Sequence, residues 1–207
     1  MKIVQLKPSQ RVQGRWLAQL ENGTLLRVGE NEVLNFSLYS GKELTEEELR
    51  AITQAARKSG LKEKALNLAA SKPISRREME RKLESWEASE EETAQICDRL
   101  EELGLLDDQR YACTVVRHYS GKGYGVRKLQ DELYRRGVPR DCWDGALEGL
   151  SGPEEAIDAF LQKKLRGAEL SDPKVRRRAA DALARRGYRW THPVHEVLEW
   201  GGEGARG

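Results

Sequence analysis

The chain has 207 residues, with 36 Lys and Arg against 34 Asp and Glu and a formal net charge of +2. That near-balance excludes a protein that holds nucleic acid by bulk charge alone, and an aromatic content of 6% argues against a large sandwich or barrel. Hydrophobic residues make up only 38%, so thin helical layers are expected rather than one deep core.

In chain order, residues 1–40 read as strands. Lys2–Lys7 alternates weakly. Arg15–Leu20 and Thr24–Val28 flank Glu21-Asn22-Gly23. Asn-Gly between apolar runs is the strongest short hairpin signal, because both residues accept positive φ. Val33–Tyr39 is a third candidate strand. So small a sheet needs something to pack on.

From Thr45 onward the pattern is helical. Thr45-x-x-Glu48, Ser75-x-x-Glu78, Ser89-x-x-Glu92 and Ser151-x-x-Glu154 are capping boxes, in which hydroxyl and carboxylate each take a backbone N–H. Asp172-Pro173 is a cap followed by proline at the first helical position. Gly60, Gly104, Gly137, Gly149 and Gly187 mark stops. Gly201–Gly207 reads as a disordered tail.

Self-similarity sets the architecture. Arg127-Lys128-Leu129-Gln130-Asp131-Glu132-Leu133-Tyr134-Arg135-Arg136-Gly137 recurs 50 residues later as Arg177-Arg178-Ala179-Ala180-Asp181-Ala182-Leu183-Ala184-Arg185-Arg186-Gly187. Fifty residues earlier, Arg77-Glu78-Met79 and Leu83 give a weaker copy. Each copy has a helix before it (Ala65–Ala70, Tyr111–Val116, Ala156–Leu161) and one after it (Glu91–Leu103, Arg140–Leu147, Pro193–Trp200). The expected fold is mainly α, with three tandem three-helix repeats stacked into an elongated, curved body beside a small N-terminal β element. The divisions are 1–44 for the β element, 45–106 for a linking helix and repeat one, 107–150 for repeat two and 151–200 for repeat three.

Charge is divided along this body. Residues 62–109 carry 8 basic and 13 acidic side chains, and residues 110–207 carry 19 and 14. Cys97, Cys113 and Cys142 form no close pair and sit at apolar helical spacings, so they read as reduced core residues. The N-terminus has no signal-type apolar run and no stretch approaches the roughly 20 apolar residues of a membrane span. A cytoplasmic monomer that needs no membrane is expected.

Ser75–Leu83, Leu103-Gly-Leu-Leu-Asp-Asp-Gln-Arg-Tyr-Ala112, Gly123-Tyr-Gly-Val-Arg-Lys-Leu129 and Glu132-Leu-x-x-x-Gly137 together resemble the signature of the RecX family. The likeness covers residues 62–150 well and the third repeat to about 198 more loosely. It implies a regulator that binds RecA and its filament on single-stranded DNA, lies in the filament groove, and depresses ATPase, strand-exchange and coprotease activity. The residues offer no catalytic constellation, so no enzymatic activity and no cofactor are expected.

The contact surface expected from the residues is a basic stripe. Lys122, Arg127, Lys128, Arg135 and Arg136 supply it in repeat two; Arg176, Arg177, Arg178, Arg185 and Arg186 supply it in repeat three. Positions 127/128 and 135/136 lie two turns apart and share a helix face. The stripe suits an acidic protein surface or DNA phosphates; the plainer reading is a solvated face with Arg near the C-terminal dipole.

Other motifs read as structure. Gly121-Lys-Gly-Tyr-Gly125 lacks phosphate-loop spacing and a preceding strand, and is taken as a helix connection with Tyr124 in the core. Asp107 or Asp108 caps the next helix rather than forming a catalytic pair. His192 and His195, with no further Cys or His nearby, mark a helix start rather than a metal site. Glu84, Glu87, Glu90–Glu92, Glu101 and Glu102 form a solvated acidic face. The competing function is a DNA-binding module whose tri-helical units act like helix-turn-helix domains, with weak direct DNA contact as an intermediate case.

Overall fold

The computed structural model describes residues 1–148, 150, 157, 160–163 and 172–188. Gly149, the Ser151/Glu154 box, His192, His195, the helix expected at Pro193–Trp200 and the tail lie outside the described residues. The chain divides into two compact units, Met1–Lys72 with Lys82–Glu102, and Pro73–Arg81 with Leu103–Gly207. It is mainly helical, with one small antiparallel sheet.

In the first unit the sheet runs β1 (Ile3–Pro8), β2 (Arg15–Leu20) and β3 (Leu25–Gly29), in that spatial order. The Asn-Gly hairpin forms as its residues require: Gly23 takes φ +84°, Leu20 N–H donates to Thr24 O at 2.8 Å and Thr24 N–H to Asn22 Oδ1 at 3.0 Å. Ile3, Ala18, Leu20 and Val28 face Leu38, Leu44 and Ile52 in a buried cluster.

The strand expected at Val33–Tyr39 is not there. Glu30–Asn35 is instead a short helix, α1. Glu32 explains it. One carboxylate oxygen accepts Gly29 N–H at 2.8 Å, closing the helix start, and the other accepts the Ser59 hydroxyl at 2.6 Å. Over Val33–Asn35, where the expected strand overlaps α1, local alternation of apolar residues loses to this buried cap.

Helix α2 (Glu46–Ser71) starts at the expected box: Glu48 N–H donates to Thr45 Oγ1 at 3.1 Å, and Thr45 N–H to Glu48 Oε2 at 2.9 Å. It does not stop at Gly60. Ile52, Leu61, Ala65 and Ala69 stay buried on one stripe across that glycine, so tertiary burial carries the helix over a weak helix former. Helices α3 (Arg76–Ser85) and α4 (Glu90–Glu102) begin at the Ser75/Glu78 and Ser89/Glu92 boxes, both formed. Arg57 on α2 ties to Glu92 at 3.0 Å.

The second unit takes in the start of α3 and holds α5 (Asp108–Ser120), α6 (Val126–Arg135), a 3-10 turn at Arg140–Cys142, α7 (Trp143–Leu147) and α8 (Pro173–Arg185). Tyr111, Ala112, Val115, Val116, Leu129 and Leu133 form its main core. Ile157, Leu161, Ala179 and Leu183 form a second. Asp107 caps α5 by accepting Arg110 N–H at 2.8 Å, and Asp172 caps α8 by accepting Lys174 N–H at 2.8 Å with Pro173 behind it.

The 50-residue offset recurs in space. Ser75 Oγ donates to Arg136 O at 2.6 Å, and Gly125 N–H donates to Arg186 O at 2.8 Å. Donors and acceptors are each 50 apart, so the end of one repeat's second helix is bonded to the start of the preceding repeat's second helix, twice. Gly137 (φ +69°) and Gly187 (φ +86°) make the approach possible. A Cβ on Gly137 would lie 2.6 Å from Arg77 Cβ, and one on Gly187 would run into the Lys128 backbone.

Gly137→Ala should therefore destabilise the fold by about 1–3 kcal/mol or more, from the left-handed backbone and the clash together. Gly60→Ala meets nothing within 4 Å and should stabilise by about 0.5–1 kcal/mol. Denaturant midpoints measure both; equal midpoints for the two variants would remove the distinction between a helix-interior glycine and a junction glycine.

Candidate functional site

Arg127, Asp131, Tyr134 and Arg135 are exposed on α6 at spacings of four, seven and eight residues, which is one face of a helix. Lys128 beside them is half-buried, and Lys122 in the preceding loop is exposed with its ammonium 5.0 Å from the Tyr119 ring. Tyr134 is 71% exposed, unusual for so large a ring. Arg135 meets Glu132 at 2.5 Å, yet its side chain stays 67% exposed and remains reachable. On α8 the same positions plus fifty, Arg177, Arg178, Asp181, Ala184 and Arg185, are all exposed, as is Arg176. The two faces match in charge and differ at two places, where Ala184 replaces Tyr134 and where Arg178 is exposed at the position of the half-buried Lys128.

Arg136 and Arg186 do not lie on these faces. Each follows the last buried leucine by three residues, on the stripe that carries Leu133 and Leu183, and so turns inward. Arg136 is 27% exposed at its side chain. Its Nη1 donates to Tyr111 Oη at 2.9 Å, its Nη2 to Tyr119 Oη at 3.1 Å, and the Tyr111 hydroxyl donates onward to Glu78 at 2.9 Å. Glu78 and Glu132 carboxylates lie 3.7 and 3.8 Å away. Arg186 Nη1 donates to Lys122 O at 2.9 Å and Gly123 O at 3.3 Å, with its guanidinium 4.3 Å from the Phe160 ring centroid. Both guanidinium groups are thus committed to internal contacts.

Electrostatics follow from this placement. Burial pushes the Tyr111 hydroxyl up to about 12, helped by its hydrogen bond to Glu78 and opposed by Arg136. For Arg136, burial acts to lower the pKa, but hydrogen bonds to the Tyr119 and Tyr111 hydroxyls outweigh it and leave the group above its usual range. Arg136 is a fixed charge at any ordinary pH. Glu132, buried between two arginines, and the Tyr111–Glu78 link escaped sequence reasoning. A Glu three or four residues before a paired Arg on the apolar side of a helix was the available signal.

Gly121–Gly125 is a helix connection, with Gly123 at φ +73° and Gly125 packed against Gly187. Tyr124 is half-buried and stacks on Tyr119 at 5.6 Å. Asp107 and Asp108 serve different groups, the second accepting Arg76 N–H at 2.9 Å. Glu84, Glu87, Glu90, Glu91, Glu101 and Glu102 are exposed, whereas Glu92 is half-buried, its pKa lowered by the Ser89 backbone N–H and by Arg57. Cys97 is buried; Cys113 and Cys142 are half-buried against the α5–α7 core, and burial raises the Cys142 thiol. Among the described residues no group of His, Cys, Asp and Glu could hold a metal ion, and no helix is long and apolar enough to cross a membrane.

Helices that recur at a 50-residue offset, with matching charged faces and inward-turned second arginines, define a tandem helical-repeat protein. Two family models match: the second three-helix domain of RecX over residues 107–147 and the third over residues 153–192. Regulatory protein RecX of Pseudomonas putida is 37% identical over 125 residues, spanning 60% of this chain and 80% of that protein. Regulatory protein RecX of Xanthomonas axonopodis pv. citri is 34% identical over 128 residues, 61% of this chain and 78% of the other. A crystal structure of regulatory protein RecX shares the fold with a TM-score of 0.68 at 22% identity, covering 96% of this chain and 98% of that one. RecX from Lactobacillus salivarius gives a TM-score of 0.63 at 20% identity, over 71% and 97%. The chain belongs to the RecX family.

Arg136→Ala should destabilise by about 1–3 kcal/mol, because it strands partly buried tyrosine and carboxylate groups, whereas Arg135→Ala should stay within about 0.5 kcal/mol. Chemical denaturation decides between them. With its native pKa above the unfolded value near 10, Tyr111 contributes stability that is whole below pH 10 and is lost as pH rises towards about 12. Tyr111→Phe should flatten that part of the stability profile; an unchanged alkaline profile would disprove the assignment.

Proposed function

We propose that this protein regulates RecA by binding it and its filament on single-stranded DNA, lying in the filament groove and inhibiting ATPase, recombinase and coprotease activity. The observation that carries this reading is the match, over about four-fifths of their length, to relatives named regulatory protein RecX. The repeated arginine faces support it. Lys122, Arg127, Lys128, Arg135, Arg177, Arg178 and Arg185 form the partner-binding surface, with Tyr134 as an aromatic contact; Arg136 and Arg186 take part by holding those faces in place. The working divisions are a β element at 1–44, a linking helix and repeat one at 45–106, repeat two at 107–150 and repeat three at 151–200, in a cytoplasmic monomer without enzymatic activity.

The mechanism is positional. A rigid binder spanning neighbouring protomers biases the filament towards the geometry it fits, by no more than its differential affinity for the two states. Nucleotide turnover falls without any contact to nucleotide. A second reading, direct DNA binding, is favoured by the exposed Arg176–Arg178 run at the start of α8.

The test is RecA ATPase and filament length on single-stranded DNA. The wild-type chain should lower turnover, and a variant with Arg127→Glu, Arg135→Glu, Arg177→Glu and Arg185→Glu should need about tenfold more protein, a loss of about 1.4 kcal/mol, at unchanged melting temperature. Full inhibition by that variant removes the proposed surface. No inhibition by the wild-type chain removes the reading itself. Tight, steeply salt-dependent DNA binding without RecA transfers support to the second reading.

A further inference from the structure

The two edges of the N-terminal sheet are not alike. The outer edge of β1 is covered by the segment after α1: Ile3 N–H donates to Lys42 O at 2.9 Å, Gly41 N–H to Ile3 O at 2.7 Å, and Leu6 N–H to Ser40 Oγ at 2.9 Å. The outer edge of β3 is not. Its register with β2 pairs Leu26 with Ala18 and Val28 with Trp16. Leu20 N–H to Thr24 O and Glu30 N–H to Gly14 O place the hydrogen-bonded pairs at the even positions of β3. The N–H and C=O groups of Leu25 and Arg27 therefore point away from β2, and among the described residues no backbone partner meets them.

A cavity of about 310 Å³ runs along this edge. Its walls include Leu25, Leu26, Arg27 and Val28. Four consecutive strand residues alternate between the two faces of a sheet, so a cavity that touches all four lies along the strand's edge. Across it, α2 contributes Ile52, Ala56 and Arg57. The floor is apolar and half of Leu25 is exposed at the rim, at 48%. Arg27 is exposed with no ion pair among the described residues and no carboxylate lines the groove, whereas the other lining guanidinium, Arg57, is already held by Glu92.

We propose that this groove docks an extended, acidic peptide segment of a partner protein, which adds as a strand to β3. Its backbone would pair with the open groups of Leu25 and Arg27, its inward apolar side chains would fill the groove, and a carboxylate of it would meet the unpaired Arg27. The free edge calls for an extended backbone, and the unpaired Arg27 beside it selects an acidic one. This site is independent of the arginine faces on α6 and α8.

The experiment is amide NMR on the full chain, titrated with three probes: an acetylated, amidated heptapeptide of alternating Glu and Val, its Lys-for-Glu counterpart, and oligothymidylate. The acidic peptide alone should shift the Leu25 and Arg27 amides and slow their hydrogen exchange. Arg27→Glu should weaken binding about tenfold. Thr53→Trp, at an exposed α2 position lining the groove, should abolish the shifts while Arg136 and Tyr134 resonances stay in place. No shift at millimolar acidic peptide, an equal response to the lysine peptide, or a response only to oligothymidylate would each overturn the proposal. RecA inhibition is not read in this experiment, so its outcome is separate from that of the proposed regulation.

Discussion

The close approach at Gly137 and Gly187 is the constraint on which the second unit depends. At both positions the backbone turns left-handed at the end of a helix, and the absent Cβ leaves room for the second helix of the preceding repeat. That approach brings a carbonyl, at Arg136 or Arg186, onto a donor at Ser75 or Gly125. It also turns the second arginine inward: Arg186 donates to the Lys122 and Gly123 carbonyls of the preceding repeat, and Arg136 bonds the tyrosines of its own repeat within reach of Glu78. A buried helix end normally leaves carbonyls without partners; here the neighbour satisfies one of them, so the cost of burying the end is offset by the contact that joins the repeats.

The exposed surface follows from this arrangement. Once the second arginine of each Arg-Arg-Gly turns inward, the first is left outside, one residue and about 100° away around the helix. Arg135 and Arg185 then line up with Arg127 and Arg177 two turns earlier. Helices that end in the same junction present their outer charges in the same register. The faces differ where no junction contact constrains them, at Tyr134 and Ala184, and a partner that distinguishes the repeats has an aromatic ring by which to do so.

Much of this was legible in the residues. The Asn22-Gly23 hairpin, three capping boxes, the Asp172-Pro173 start and the stops at Gly104, Gly137 and Gly187 are local devices. Each is decided by atoms within a few residues, so sequence suffices. Val33–Tyr39 and Gly60 depart from their local pattern because long-range burial outweighs it there. Glu32 closes α1 by reaching both Gly29 and the distant Ser59, and the stripe from Ile52 to Ala69 carries α2 through its glycine. The basic stripe was legible as composition but not as direction. Arg135 and Arg136 are adjacent letters, and only the position of Leu129 and Leu133 on the helix tells that the second arginine shares their side.

The two junctions use one backbone scheme with different chemistry. At the first, Arg136 is held by two tyrosine hydroxyls and by the Glu78 and Glu132 carboxylates. At the second, Arg186 is held by two backbone carbonyls and an aromatic face. A carboxylate contact weakens as salt screens it, whereas a carbonyl or a ring contributes through short-range dipole and quadrupole terms that screening touches less. At the first junction Tyr111 is buried and its hydroxyl relays Arg136 to Glu78, so removing one member leaves others without partners. At the second, among the described residues, removing Arg186 takes a donor from the Lys122 and Gly123 carbonyls. Repetition in the backbone thus does not make the joints equivalent. The side chains around each arginine set how each repeat is held, and at the junction between repeats one and two Arg136, Tyr111, Tyr119 and Glu78 stand or fall together.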